Sequence, residues 1–214
     1  MARNTPERIL DTSLVMFNAQ GESNVTTNHI ADELEISPGN LYYHFRNKDD
    51  IIEQLFSRYE ARIDQAMSVP QDHTAGLEDV WLQLHAVYEC IWDYRFLFRD
   101  LLDILARNRK LRMHFSRILK RASDNATEVM RALVRAEVMR ASADAIRATA
   151  DNFLVIATFW LNFSAARGER DEQESIRRGI HQVMMLLAPF LRDAERLHLN
   201  RLAEVYLPGR ELGM

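Results

Sequence analysis

Apolar residues recur along this chain at helical spacing, and recognisable start and stop signals separate the stretches. Ile9, Leu10, Leu14 and Phe17 make one stripe between Thr5-Pro6, a cap followed by proline at the first helical position, and the stop at Gly21. Thr26-Thr27 opens a short second helix with Ile30, Ala31 and Leu34 inward. Ser37-Pro38 repeats the cap-plus-proline device for a third, with Leu41 and Phe45 inward. Asn47, three residues before Asp50, starts a fourth whose stripe is Ile52, Leu55, Phe56, Tyr59 and Ile63. Pro70 ends that unit, and Val69 to Gly76 reads as a linker. Further helices are expected at Leu77–Trp92, Phe96–Arg107, Arg109–Met139, Ala143–Arg167, from Asp171 to a break at Pro189, and from Leu191 to Tyr206.

The pattern therefore predicts an all-α chain: a three-helix helix-turn-helix domain over 1–47, a connecting fourth helix over 48–69, and a larger helical bundle over 70–214, to which the family resemblance given below assigns effector binding and dimerisation. Scarce glycine (7) and proline (5) agree with long helices. Phe153–Phe163, the longest nearly unbroken apolar run, has about half the length a bilayer requires, so no membrane partner is expected. The first residues carry no apolar signal segment, and the lone Cys90 forms no internal disulfide; both point to the cytoplasm.

Catalytic chemistry finds no footing. The seven glycines are scattered, the seven histidines show no zinc-type pairing, and Cys90 reads as a buried hydrophobe. No enzyme, metal or cofactor is expected.

Charge alone does not advertise a nucleic-acid binder. The chain carries −4, and residues 1–66 hold six Lys/Arg (Arg3, Arg8, Arg46, Lys48, Arg58, Arg62) against eleven acids. Yet Ile36 to Lys48 contains no acid. The third helix needs only Leu41 and Phe45 inside, which leaves Gly39, Asn40, Tyr42, Tyr43 and His44 to face out. Asparagine pairs with adenine edges, tyrosine and histidine suit phosphates, and Gly39 permits close backbone approach. Thr26 or Thr27 and Lys48 add donors at helix N-termini. On spacing alone, an aromatic surface turn packed against a neighbouring domain is the alternative.

The run Ile9…Phe17…Gly21…Thr26-Thr27…Ile30-Ala31…Ile36-Ser37-Pro38-Gly39-Asn40-Leu41-Tyr42-Tyr43-His44-Phe45…Asn47-Lys48 resembles the TetR family of one-component bacterial transcriptional regulators. Its form, with Asp49-Asp50-Ile51-Ile52 following, is most similar to the branch containing polyhydroxyalkanoate-operon regulators. The resemblance implies a homodimer that binds double-stranded operator DNA through Thr27, Gly39, Asn40, Tyr42, Tyr43, His44 and Lys48, and a repressor released by a small-molecule effector. A helical adaptor of the same fold that does not bind DNA is the alternative.

The resemblance also implies that the last two sensor helices build the dimer interface, which would use Phe159, Phe163, Ile176, Ile180, Val183 and Leu187. Trp81, His85, Tyr88, Trp92, Phe96, Phe115, Phe153 and Trp160 form an aromatic set suited to an effector pocket, or simply a packed core. Residues 107–147 hold eleven Lys/Arg against four acids. That run reads as a solvated face, or as a seat for an amphipathic anion such as an acyl-coenzyme A.

Overall fold

The computed structural model describes residues 5–68 and 76–207, so the linker expected at Val69–Gly76, Pro70 included, lies outside the described residues except for Gly76. Among the described residues every regular element is helical, apart from one isolated bridge between Met139 and Leu191. Contacts gather the chain into two compact units. One holds residues up to Ile63 together with Asp93–Phe115; the other holds Asp64–Trp92 and residues from Ser116 onward. The sequence pattern divides the chain at positions along it, whereas contacts place 93–115 with the N-terminal helices.

In the first unit, α1 (Thr5–Gln20) buries Ile9, Leu10 and Phe17 on one stripe. α2 (Thr27–Glu33) and α3 (Pro38–His44) follow, and then α4 (Lys48–Ala66) with Ile51, Ile52, Leu55, Phe56, Tyr59 and Ile63 buried. Two seven-residue helices cannot make a core by themselves. The segment 93–115 completes it. Phe96 packs on Phe17 with ring centroids 5.2 Å apart, Tyr59 meets Tyr94 and Phe98, and Phe115 meets Phe56.

Polar side chains lock this packing. Buried Asn18 donates from Nδ2 to the Asp93 carbonyl at 2.7 Å and accepts at Oδ1 from the Phe96 N–H at 3.1 Å. Arg99 donates to the carbonyls of Phe17 and Asn18 at the end of α1. Asp100 accepts from the Glu22 N–H at 3.0 Å. Its backbone leaves helical geometry, so the single helix expected over Phe96–Arg107 is two, α6 (Arg95–Arg99) and α7 (Leu101–Arg107). The first turns of α8 (Arg109–Arg135) then run beside α4, where Lys110 pairs with Glu53 at 2.7 Å and His114 with Glu60 at 3.0 Å. Hydrogen bonds from Lys110 and Asn108 hold the Glu53 carboxyl below the usual glutamate range.

In the second unit, α5 (Leu77–Asp93) contributes Val80, Tyr88 and Ile91 to the interior. α8 stops at Arg135, not at the expected Met139. Glu137 adopts φ 60°, and the Val138 and Met139 N–H groups both turn back to the Leu133 carbonyl. α9 (Ala143–Ala166) and α10 (Glu172–Met185) pack closely at Gly179, where an added Cβ would meet Trp160 Cδ1 at 2.8 Å. Trp160 has little freedom to give way, because its Nε1 donates to the Ser175 carbonyl at 2.6 Å. α10 ends before Pro189, which sits in a 3₁₀ turn. α11 (Asp193–Glu204) begins two residues later than expected, since Leu191 is held in the bridge.

Replacing Asn18 by Leu orphans the buried Phe96 N–H and the part-buried Asp93 carbonyl. Urea unfolding is expected to show a loss of about 2–4 kcal/mol, from roughly 1–3 per unpaired group. Gly179→Ala normally gains about 1 kcal/mol in helix propensity. Here overpacking against the pinned indole costs about 1–3 kcal/mol, so the variant should melt no higher than the parent protein.

Candidate nucleic-acid interface

Helix α2 begins at a reciprocal cap. The Thr26 hydroxyl accepts from the His29 N–H, while His29 Nδ1 accepts from the Thr26 N–H. The turn to α3 runs through Leu34, Glu35 and Ile36, with Glu35 in the left-handed region at φ 54°. The Ile36 N–H reaches back to the Ala31 carbonyl at 3.0 Å, which closes the turn. Ser37 then caps α3 by accepting from the Asn40 N–H, with Pro38 at the first helical position. This local chemistry aims α3. Ile30, Ala31 and Leu41 are fully buried and Phe45 nearly so, and the opposite side is left open.

That open side carries the expected residues. Gly39, Asn40, Tyr42 and Tyr43 are exposed, Tyr43 at 84%, and His44 is half-buried with its ring edge-on to Tyr43 at 5.0 Å. Thr27, on the first turn of α2, meets the Tyr42 hydroxyl at 2.9 Å, so the two helices present one joined surface. Arg46, not singled out from the sequence, extends it; its side chain is 90% exposed and faces Asp50 at 3.4 Å.

Lys48 is placed differently from its neighbours. Its ammonium lies 2.8 Å from Glu22 Oε1 and donates to the carbonyls of Glu22 (2.9 Å) and Val25 (3.0 Å). Two backbone hydrogen bonds and one ion pair thus engage within the chain the group expected to reach a phosphate. The Glu22 side chain is 1% exposed, and Arg107 Nη2 lies 2.8 Å from the same Oε1. Arg107 also holds Asp49 at 3.2 Å. Burial works against its charge, but the hydrogen bond and attraction of Glu22, then of Asp49, outweigh that and raise its pKa. Neither Glu22 nor this use of Arg107 was visible in the sequence, where 85 residues separate them.

The aromatic set expected to line a pocket is divided between the units. Phe96 and Phe115 lie in the first unit's core. In the second, Trp81 stacks on His85 at 5.9 Å, and His85 Nδ1 lies 3.2 Å from the Tyr206 hydroxyl. Tyr88 is 1% exposed, its hydroxyl has no hydrogen-bond partner among the described residues, and burial pushes its pKa up. Trp92 and Phe153 are half-buried, and Trp160 serves the α9–α10 contact.

The set expected at a dimer interface also separates. Ile176, Ile180, Val183 and Leu187 are buried within the chain, because the apolar stripe of α10 faces inward. Phe159 and Phe163 stay exposed at 41% and 50%, joined by Val155 at 58%, at four-residue steps along α9. In the basic run, Lys110 and Arg121 are matched by Glu53 and Asp64. Arg109, Arg112, Arg117 and Lys120 are exposed.

Similarities to known proteins agree with this geometry. Residues 9–55 match the family described as bacterial regulatory proteins, tetR family, and residues 58–199 match the TetR bacterial transcriptional repressor family. A crystal structure of a TetR-family transcriptional regulator from Marinobacter aquaeolei VT8 superposes with a TM-score of 0.88 at 36% identity, covering 96% of this chain and 100% of that one. An HTH-type transcriptional regulator of Staphylococcus aureus (strain MRSA252) is 29% identical over 116 residues, 54% of this chain and 61% of its own length. A probable acrEF/envCD operon repressor of Escherichia coli (strain K12) is 35% identical over 78 residues, 36% of this chain and 34% of its own. These curated relatives are thus matched over less than two thirds of their length. A ketosteroid transcriptional regulator of Mycobacterium tuberculosis shares the fold at 19% identity and a TM-score of 0.65. So does a regulator solved as the SmeT–triclosan complex, at 19% and 0.59.

Tyr43→Ala removes a side chain that supports no core contact. Its unfolding free energy should stay within about 0.5 kcal/mol of the parent, as for surface substitutions generally. A cooperative loss of stability in a urea titration would mean that α3 presents the other face.

Proposed function

Because this chain belongs to the TetR family of bacterial transcriptional repressors, we propose that it binds operator DNA as a symmetric pair, represses, and releases the DNA when a small molecule binds. The observation that carries this reading is the outward projection of Asn40, Tyr42 and Tyr43 from a short helix packed by Leu41 and Phe45. In this reading α3 enters the major groove, Asn40 reads base edges, and Thr27, Tyr42, Tyr43 and His44 address the backbone. Residues 1–47 are the DNA-reading part, α4 the connector, and the remainder senses and dimerises. Two recognition helices meet half-sites about 34–36 Å apart. About three phosphates per protomer account for binding without a basic domain and give a log affinity–log salt slope near −5.

A pair needs an interface, and the exposed apolar row of Val155, Phe159 and Phe163 on α9 supports one there. For the effector, the support is the Trp81–His85–Tyr206 cluster and, on the same helix α5 as Trp81 and His85, buried Tyr88, whose hydroxyl has no hydrogen-bond partner among the described residues; a largely apolar ligand carrying a hydrogen-bond acceptor suits such groups. The basic run lends less support to an amphipathic anion, since Lys110 and Arg121 already have acids opposite them. A 100-fold release requires affinities for the two states that differ by about 2.7 kcal/mol.

Duplexes selected from a random pool by the purified protein test the reading. Binding to a recovered duplex should fall about 10- to 100-fold in Asn40→Ala, in line with roughly 1–3 kcal/mol per good base contact, and Tyr43→Ala should also weaken it. A protein that enriches no sequence is the adaptor instead. Phe159→Asp should convert the pair to monomers in sedimentation velocity; an unchanged dimer would move the interface off α9.

A further inference from the structure

The buried Glu22 carboxylate needs one cation and has two. Lys48 Nζ and Arg107 Nη2 each lie 2.8 Å from the same oxygen, Oε1. An uncompensated charge at 1% exposure is far more costly than one near the surface, so the carboxylate keeps at least one of them. The two cations are not equivalent in place. Arg107 ends α7, and its other contact is Asp49, half exposed and hydrated, which has little need of a counterion. Lys48 is the first residue of α4, four residues past the end of the recognition helix, where free N–H groups and the helix dipole favour an anion. Its side chain is 26% exposed, so it is not sealed from solvent as Glu22 is.

We infer that Arg107 and Glu22 are positioning residues for the Lys48 ammonium: Arg107 gives the buried carboxylate a counterion of its own and so leaves Lys48 able to turn to a DNA phosphate. When Arg107 is withdrawn, Lys48 is the sole counterion of Glu22 and stays on it. Lys48 is then off the DNA, and each protomer has one phosphate contact fewer. Residue 107 belongs to the 93–115 segment that joins α5 to α8, so a shift of that segment reaches the DNA-facing surface as a change in charge availability. This inference rests on the DNA-binding reading above, and one arm of its test needs no DNA.

The chain has three lysines, Lys48, Lys110 and Lys120, so amine labelling followed by mass spectrometry can report Lys48 against exposed Lys120 as an internal reference. In DNA-free protein, Arg107→Gln should slow Lys48 labelling severalfold, Glu22→Gln should hasten it, and Arg107→Lys should restore the parent rate. With a selected duplex, Arg107→Gln should make the log affinity–log salt slope shallower by about 1.8, one phosphate per protomer at about 0.9 each. Lys48→Gln should do the same, and adding Arg107→Gln to Lys48→Gln should change nothing more. Unchanged Lys48 labelling in Arg107→Gln overturns the inference, whether or not any duplex is bound. So does a slope change that persists in the Lys48→Gln background, since Arg107 would then act without Lys48. Failure of the parent protein to bind any duplex removes the functional reading instead. If Glu22→Gln does not fold, the two Arg107 variants carry the test alone.

Discussion

A carboxylate sealed from water ties together the helices of the N-terminal unit. Glu22 sits between α1 and α2, forms ion pairs with the first residue of α4 and the last of α7, and has its own N–H held by Asp100. Three stretches that are distant in sequence, around Glu22, at Lys48 and over 100–107, thereby converge on one residue. The two recognition-region helices are seven residues each and bury only Ile30, Ala31, Leu41 and the flanking Phe45 fully or nearly so. Their orientation is set by what surrounds them. Asn18 and Arg99 extend the same strategy one turn deeper, by satisfying backbone groups that a purely apolar contact between α1 and 93–99 would strand. Polar contacts of this kind accept one register only, whereas apolar surfaces tolerate sliding.

What could be read from the residues alone follows the range of the forces involved. Caps, prolines and stripes act over three or four residues, so Thr26, Ser37 and Asn47 announced their helices, and the outward face of α3 followed from two inward residues. The split at Asp100 was not legible, because the group that draws its carboxylate away is the Glu22 N–H, 78 residues earlier. The same holds for Lys48. Its position at a helix start is local information, but its three partner oxygens come from Glu22 and Val25, on the far side of α2 and α3 in the sequence. Glu22 itself offers only a faint signal, a carboxylate directly after a helix-stopping glycine.

The second unit shows the limit of periodicity. α9 is apolar nearly all round, and no pattern says which side is its own core. The structure resolves this through Gly179: α10 approaches on the side where Trp160 fills the missing Cβ, which takes Ile176, Ile180, Val183 and Leu187 inward and leaves Val155, Phe159 and Phe163 open. An aromatic-rich composition could not say which rings share an interior. Phe96 and Phe115 were grouped with Trp81 and His85 by type, yet contacts assign them to different units.

The turn between α2 and α3 depends on a glutamate held at φ 54°, a conformation that disfavours most side chains by about 1–2 kcal/mol. Handedness at this one peptide lets the chain turn from α2 into α3, and the surrounding packing then fixes the angle between them. Position 35 should drift among glycine, asparagine and small polar residues across descendants while excluding valine, isoleucine and threonine. A lineage that shed the strain there would gain stability and keep the same turn between α2 and α3.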